Sequence, residues 1–76
     1  MVREIAPGIT VDPGIKGGKP VIQGTRIPVD LVLGQLGGGM TIEQVMDEYD
    51  LGRDSILAAL QYAAQLVSAE DSKAID

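Results

Sequence analysis

Three prolines and a cluster of glycines decide what the first third of this chain can become. Pro13, Pro20 and Pro28 exclude a continuous helix through this region, because proline has no backbone N–H and clashes with the preceding helical turn. The segment GGKPVIQGTRIPV, residues 17–29, contains three glycines, two prolines, two basic residues and no carboxylate. The first third of the chain is therefore predicted to be extended and stiff.

Two short strand signals lie within this extended region. The β-branched residues of ITVD, residues 9–12, predict one strand, and residues 20–27 predict a second strand or pair of strands, broken at Gly24. Such strands are not stable alone, so they must lie on the helices or pair with a second chain. A chain of 76 residues without cysteine or histidine has a thin core and neither disulfides nor the usual zinc sites to strengthen it. We therefore expect a homodimer, with residues 9–27 forming the interface.

Two amphipathic helices are predicted to follow. The first begins near Pro28 and ends in the glycine run 37–39, which supplies the left-handed backbone of a helix C-terminus. The second begins with Thr41 as N-cap and Gln44 as the returning partner of a capping box, and ends around Asp50. Each helix has one apolar face at helical spacing. The predicted faces are Val29, Val32, Leu33 and Leu36, then Ile42, Val45, Met46 and Tyr49.

A third helix is predicted from about Arg53 to Ser68, after a short turn. Its predicted inward residues are Ile56, Leu57, Leu60, Ala63, Ala64 and Val67, and its predicted outward residues are Asp54, Ala58, Gln61 and Gln65. Residues 69–76, AEDSKAID, have no periodicity and are predicted to be a mobile acidic tail. The predicted fold is mainly α: one domain, residues 1–68, in which a β-strand arm at 1–27 precedes a three-helix helix-turn-helix bundle.

Composition also excludes several functions. The chain has no histidine, no cysteine and no Walker spacing around its glycines, so we expect no catalytic residues, cofactor or metal site, and hence no enzyme. No segment approaches the ~20 apolar residues of a membrane span, and the N-terminus does not resemble a signal peptide. A cytoplasmic protein without a membrane partner is the expectation.

The sequence resembles a bacterial and archaeal family known as domain of unknown function 433. The resemblance rests on DPGIKGGKPVIQGTRIPV at 12–29, GMTIEQVMDEYDL at 39–51 and ILAALQYA at 56–63, and covers roughly residues 9–67. The signature at 17–29 is highly specific to that family, and the helical parts are less so. One departure is Gly52, where relatives more often have Thr or Ser; glycine at an N-cap costs only about a few tenths of a kcal/mol.

The resemblance implies a homeodomain-like three-helix fold behind a short β element. Members of the family are often labelled VapB-type antitoxins, and a PIN-like nuclease toxin is frequently encoded beside them. The resemblance therefore implies that this chain binds and neutralises a co-encoded nuclease and regulates its own operon. The alternatives are a stand-alone DNA-binding regulator and a structural dimeric adaptor that does not contact DNA.

The segment 17–29 itself has two interpretations. It is either an architectural hairpin that staples a dimer or a basic edge, with Lys16, Lys19 and Arg26, that faces phosphate or an acidic partner. For Arg26, a structural ion pair with Asp12, Asp30 or the acids at 47–50 is favoured over ligand contact. The residues assigned to the dimer and motif are Gly18, Pro20, Val21, Ile22, Gly24, Thr25, Arg26, Ile27 and Pro28.

Charge weighs against nucleic acid as the main partner. The net charge is −5, so DNA repels the chain unless its few cations gather on one face. If operator DNA is bound, the third helix would enter the major groove. The residues predicted to contact that DNA are Arg53, Ser55 and Gln61 on the helix and Lys19 and Arg26 in the extended region. A basic protein partner fits the acidic composition better.

Overall fold

The computed structural model describes residues 1–75, with side chains described as far as Ala69. Three short strands, β1 (Arg3–Ala6), β2 (Ile9–Val11) and β3 (Val21–Ile22), precede three helices. The helices are α1 (Val29–Gly37), α2 (Ile42–Tyr49) and α3 (Arg53–Ile75). The mainly helical fold with a small β element in front is confirmed.

The strands form one antiparallel sheet in the order β1-β2-β3. Thr10 of β2 pairs with Glu4 on one side and with Val21 on the other. The short strands are supported by the chain's own helices, because β2 and β3 pack on α3. Strand β1 was not predicted, since its residues are mostly exposed and show no apolar alternation.

An aliphatic core joins the sheet to the helices. Each strand and helix except β1 supplies at least one buried residue to this core, and so does the turn before α3. Burying each of the larger side chains stabilises the fold by about 1.5–3 kcal/mol. The buried cluster consists of Ile9, Ile22, Val29, Val32, Val45, Leu51, Ile56 and Ala59.

The predicted faces of α1 and α2 are confirmed. Val32 and Val45 are fully buried, and the other members of both faces are buried or half-buried against the core. The capping box is present: Gln44 N–H donates to Thr41 Oγ1 at 3.1 Å, and Thr41 N–H donates to Gln44 Oε1 at 2.8 Å. Gly39 adopts a φ of +110° after α1, as expected of a glycine that ends a helix.

The predicted inward face of α3 is confirmed for Ile56 and Ala63, which are buried and half-buried, and is wrong for the other four residues. Ile56 and Ala59 are fully buried, whereas Leu57 is 41% and Leu60 36% exposed. Ala58, predicted to face outward, is half-buried. The physical reason is the position of the sheet. The β1–β2 turn reaches Ala58 so closely that a Cβ on Gly8 would lie 2.9 Å from the Ala58 Cβ.

The outer face of α3 is correspondingly apolar. Ala64 and Val67, also predicted to face inward, are exposed, while Asp54, Gln61 and Gln65 are exposed as predicted. The helix continues past its predicted end at Ser68 as far as Ile75. The backbone of the predicted tail, 69–76, is thus helical through Ile75; its side chains beyond Ala69, and all of Asp76, lie outside the described residues.

Candidate functional site

The segment 17–29 folds into a tight turn against its own chain. Lys16, Gly17 and Gly18 all have positive φ, and Gly24 turns the chain again at φ +78°. The Thr25 hydroxyl ties this second turn together. It donates to the Ile22 carbonyl at 2.8 Å and accepts the backbone N–H of Ile27 at 3.0 Å.

Further backbone hydrogen bonds anchor the turn at both ends. Ile22 N–H donates to the Ile27 carbonyl at 2.9 Å, and Val29 N–H donates to the Pro20 carbonyl at 3.0 Å. Gln23 N–H donates to the Gly8 carbonyl at 2.9 Å, which joins the turn to the β1–β2 hairpin. The rigidity of the segment therefore directs the chain from the sheet into the start of α1.

The apolar side chains of this segment are used inside the monomer. Val21 and Ile22 are each 1% exposed and Ile9 is fully buried. These side chains already lie against the chain's own helices, so their apolar character is no evidence for a dimer interface at residues 9–27. Within the single chain, the segment therefore has an architectural role.

Two of the predicted DNA-contacting cations are held by carboxylates. Lys19 Nζ lies 2.9 Å from Asp30 Oδ2 at the start of α1, and the Arg53 guanidinium donates to Glu43 Oε2 on α2. Hydrogen bonding to Lys19 lowers the pKa of Asp30, and hydrogen bonding to Arg53 lowers the pKa of Glu43. Each pair reduces the positive charge that Lys19 and Arg53 can present to phosphate.

Arg26 occupies the exposed tip of the turn that Gly24 begins. The pKa of Asp12 is lowered first by the hydrogen bond from Gly14 N–H at 2.8 Å, then by the N-terminal amino group, which lies 3.6 Å from Asp12 Oδ1, and least by Arg26. The predicted ion pair between Arg26 and Asp12 is therefore not formed, and Asp12 has the N-terminal amino group as its close partner.

The predicted DNA contacts do not converge on one surface. Lys19 lines a groove with Tyr62 on one side of α3, whereas Gln61 borders a depression formed with Pro7 and Gly8. Arg53 is turned toward α2 by its ion pair. Ser55 is half-buried. A duplex lying on α3 would therefore not meet these five side chains together.

An acidic surface lies on the outside of α2 and the turn after it. Asp47, Glu48 and Asp50 are exposed, and the first two line a shallow depression with Met40 and Gln44. We call these three carboxylates the acidic surface. It repels phosphate and suits a positively charged partner.

An apolar groove runs between α1 and the second half of α3. Its volume is about 300 Å³, and the Lys19–Asp30 ion pair lies at its polar edge. The apolar lining consists of Pro20, Val29, Leu33, Tyr62, Ala63 and Leu66. Sequence analysis missed this groove, because Tyr62 and Leu66 were not assigned to either face of the helix.

Two other kinds of site are not found in the described residues. Among residues 1–75, none of the helices combines the length and apolar character that crossing a bilayer requires. Within the same described part of the chain, no group of three His, Cys, Asp or Glu residues is arranged to hold a metal ion.

Comparison with known proteins gives a family and two similar structures. The model of DUF433, a protein family of unknown function, matches residues 9–63. A crystal structure of a DUF433 member from Anabaena variabilis is similar to 91% of this chain, with 27% identity and a TM-score of 0.74, over 69% of its own length. The crystal structure of Rv2018 from Mycobacterium tuberculosis is similar to 68% of this chain, with 36% identity and a TM-score of 0.62. This chain spans only 24% of the Rv2018 chain. No curated protein matches the sequence.

Proposed function

The chain belongs to the DUF433 family, and we propose that it acts as an antitoxin that binds and neutralises a co-encoded PIN-like nuclease. One observation carries the proposal. Two of its predicted nucleic-acid contacts, Lys19 and Arg53, are paired with carboxylates, while the carboxylates of the acidic surface are exposed. The chain is therefore better suited to a basic protein than to a polyanion.

The chemistry of the partner supports the same choice. A nuclease must hold a polyanionic substrate, so the groove that contains its active site is basic. Asp47, Glu48 and Asp50 present three carboxylates over one short helix and its final turn. An acidic surface docked in such a groove would exclude RNA or DNA by occupying its binding site. Neutralisation then requires only stoichiometric binding.

Regulation of its own operon would be a property of the complex. Bound nuclease adds positive charge that the lone chain, at −5, does not have. Operator binding should therefore strengthen when the nuclease is present, since phosphate neutralisation supplies most of the sequence-independent affinity.

The test measures binding to the nuclease encoded beside this chain. In one variant, Asp47→Asn with Glu48→Gln, the acidic surface loses two charges. In the matched control, Gln23→Lys with Gln65→Lys, the net charge changes equally but at exposed positions outside the acidic surface. We expect the first variant to bind at least about tenfold more weakly at low salt, since close charge pairs across an interface couple by about 1.5 kcal/mol or more, and the control to bind as the wild type does.

Two results would contradict this proposal. If the wild-type chain does not bind or inhibit the nuclease, the antitoxin function is wrong. If both variants lose affinity equally, net charge rather than the acidic surface governs binding, and the contact lies elsewhere.

A further inference from the structure

The outward side of α3 is the most unusual surface of this chain. Residues 55–68 contain no charged side chain, in a chain whose net charge is −5. Yet Leu57, Leu60 and Val67, within that stretch, are 41%, 36% and 54% exposed. An ordinary solvated helix face carries charged residues. This face of α3 therefore has the composition of a surface that another protein chain contacts.

The exposed apolar residues repeat at the spacing of a helix-packing seam. Leu57, Leu60, Ala64 and Val67 follow one another at intervals of three, four and three residues, which is the a/d pattern by which two helices pack along each other. We call these four residues the outer seam. The adjoining side of the helix, with Ile56 and Ala59, packs on the core. Helix α3 thus has one face for its own domain and a second for another helix.

We propose that a second copy of this chain covers the outer seam, so that two α3 helices pack together in a homodimer. A copy presents the same apolar spacing, as a two-fold symmetric interface requires. It also presents the same neutral surface, and this matters because two chains of −5 repel each other wherever their carboxylates meet.

The residues beside the seam allow close approach. Gln61, Ala63 and Ser68 flank it and carry no charge, so like charges do not face one another across the axis. Ala64 lies within the seam and is small, which lets the two helix backbones come near. The acidic surface is on α2, outside this contact, so the dimer leaves it exposed for the partner proposed above.

A basic partner fits the outer seam less well than a second copy does. Electrostatic attraction to a nuclease requires carboxylates, and these are on α2 rather than on residues 55–68 of α3. The seam extends over ~15 Å of helix from Leu57 to Val67. One such helix from each chain makes a small interface, so we expect dimerisation at roughly micromolar concentration rather than an obligate dimer.

The test is the mass of the full chain in solution, without any partner. Sedimentation equilibrium from about 1 to about 200 µM spans the expected range of affinity. The wild type should pass from 8.0 kDa to twice that mass. Ala64→Glu places a carboxylate in the seam of each copy, and we expect it to weaken the dimer at least about tenfold. Gln65→Glu adds the same charge one residue away, outside the seam, and should dimerise as the wild type does.

Both variants change exposed positions, so circular dichroism should show an unchanged fold. If Ala64→Glu nevertheless unfolds, Leu57→Gln, which leaves the net charge unchanged, takes its place with the same expectation. A wild type that stays at 8.0 kDa throughout overturns the proposal. So does a seam variant that dimerises like the wild type, or a Gln65→Glu control that is equally impaired. The antitoxin proposal is tested separately by nuclease binding and does not depend on this result.

Discussion

Two glycines with the same backbone conformation have different reasons to be glycine. Gly8 and Gly24 both have a φ of +78°, a region that other residues adopt at a cost. At Gly24 an added Cβ would meet no atom within 4 Å, whereas at Gly8 it would lie 2.9 Å from the Ala58 Cβ. Gly24 is required only by the conformation of its turn, whereas Gly8 also allows the β1–β2 hairpin to approach α3.

Substituting these glycines separates the two effects. We expect Gly24→Ala to lose about 1 kcal/mol of unfolding free energy, from backbone strain alone. Gly8→Ala should lose more, about 2–4 kcal/mol, because a steric clash adds about 1–3 kcal/mol to the same strain. Urea denaturation measures both. Ala58→Gly removes the clashing atom, so Gly8→Ala should cost less in the Ala58→Gly background than in the wild type; an equal cost in both backgrounds would mean that contact with α3 is not the cause.

Two exposed ion pairs make the stability of the fold depend slightly on pH in the acidic range. The pKa values of Asp30 and Glu43 are lowered in the folded chain by Lys19 and Arg53. A lowered pKa contributes stability that is present above the unfolded-state pKa, about 4 for both residue types, and is lost as the pH falls through the folded-state value. Stability should therefore decrease below about pH 4. The loss should be small, because both pairs are exposed.

The amide double variant, Asp30→Asn with Glu43→Gln, tests this assignment. It should be slightly less stable than the wild type at pH 6, and the difference should shrink as the pH falls through the lowered folded-state pKa values of the wild-type carboxyls, which then become protonated as well. Urea midpoints at several pH values give the comparison. A difference that stays constant with pH would mean that these two carboxyls are not the acid-sensitive groups.

At the scale of single elements, α3 differs from the other two helices. Helices α1 and α2 each bury one apolar face, while α3 has apolar residues on its buried side and along its outer seam. The sequence pattern predicts that Leu60 lies in the core, so that Leu60→Asp unfolds the domain. In the structure, Leu60 is 36% exposed and Ile56 is fully buried. A buried carboxylate is therefore expected to unfold the domain at Ile56 rather than at Leu60.

Alanine substitutions on the two sides of α3 should therefore differ sharply. We expect Ile56→Ala to lose about 2–5 kcal/mol of unfolding free energy, the usual cost of emptying a filled aliphatic site. Leu57→Ala, one residue round the helix, should lose less than about 1 kcal/mol at concentrations where the chain is monomeric. Thermal or urea melts of the dilute protein decide between them. Equal losses would show that Leu57 is also packed within the monomer.

At the scale of the whole molecule, charge governs which partner is favoured. The sequence has six Lys and Arg residues and eleven Asp and Glu residues. Two of the cations, Lys19 and Arg53, are paired with carboxylates. Because few phosphates can be neutralised, the salt-dependent part of DNA affinity is small. The neutral outer seam and the acidic surface occupy different parts of the chain, so the proposed association with a second copy would not compete with the proposed association with a basic partner.

The lone protein should accordingly bind its own promoter DNA only weakly. At physiological salt we expect a dissociation constant weaker than about 1 µM, and a marked strengthening when the nuclease is added. A titration of labelled promoter fragment, with and without nuclease, measures both. Nanomolar specific binding by the lone protein would favour the stand-alone regulator over the antitoxin.

Local chemistry made several features readable from the sequence alone. Thr41 and Gln44 define the start of α2 through hydrogen bonds three residues apart, and the prolines and glycines between positions 13 and 39 mark where helix is excluded or ends. Helix α2 could be phased because pairs of polar residues, 43–44 and 47–48, separate its apolar ones. These features depend only on residues a few positions apart, so the sequence alone is enough to predict them.

Only the tertiary structure decided how these elements meet. In residues 56–60 of α3 every side chain is apolar, so periodicity could not say which side is buried; the approach of Gly8 to Ala58 decides it. Strand β1 exists because β2 offers it a pairing edge. The pairs Lys19–Asp30 and Arg53–Glu43 join residues eleven and ten positions apart, and they determine which cations remain for a ligand. Burial and charge pairing depend on contacts between distant segments, and those contacts are set by packing the whole chain.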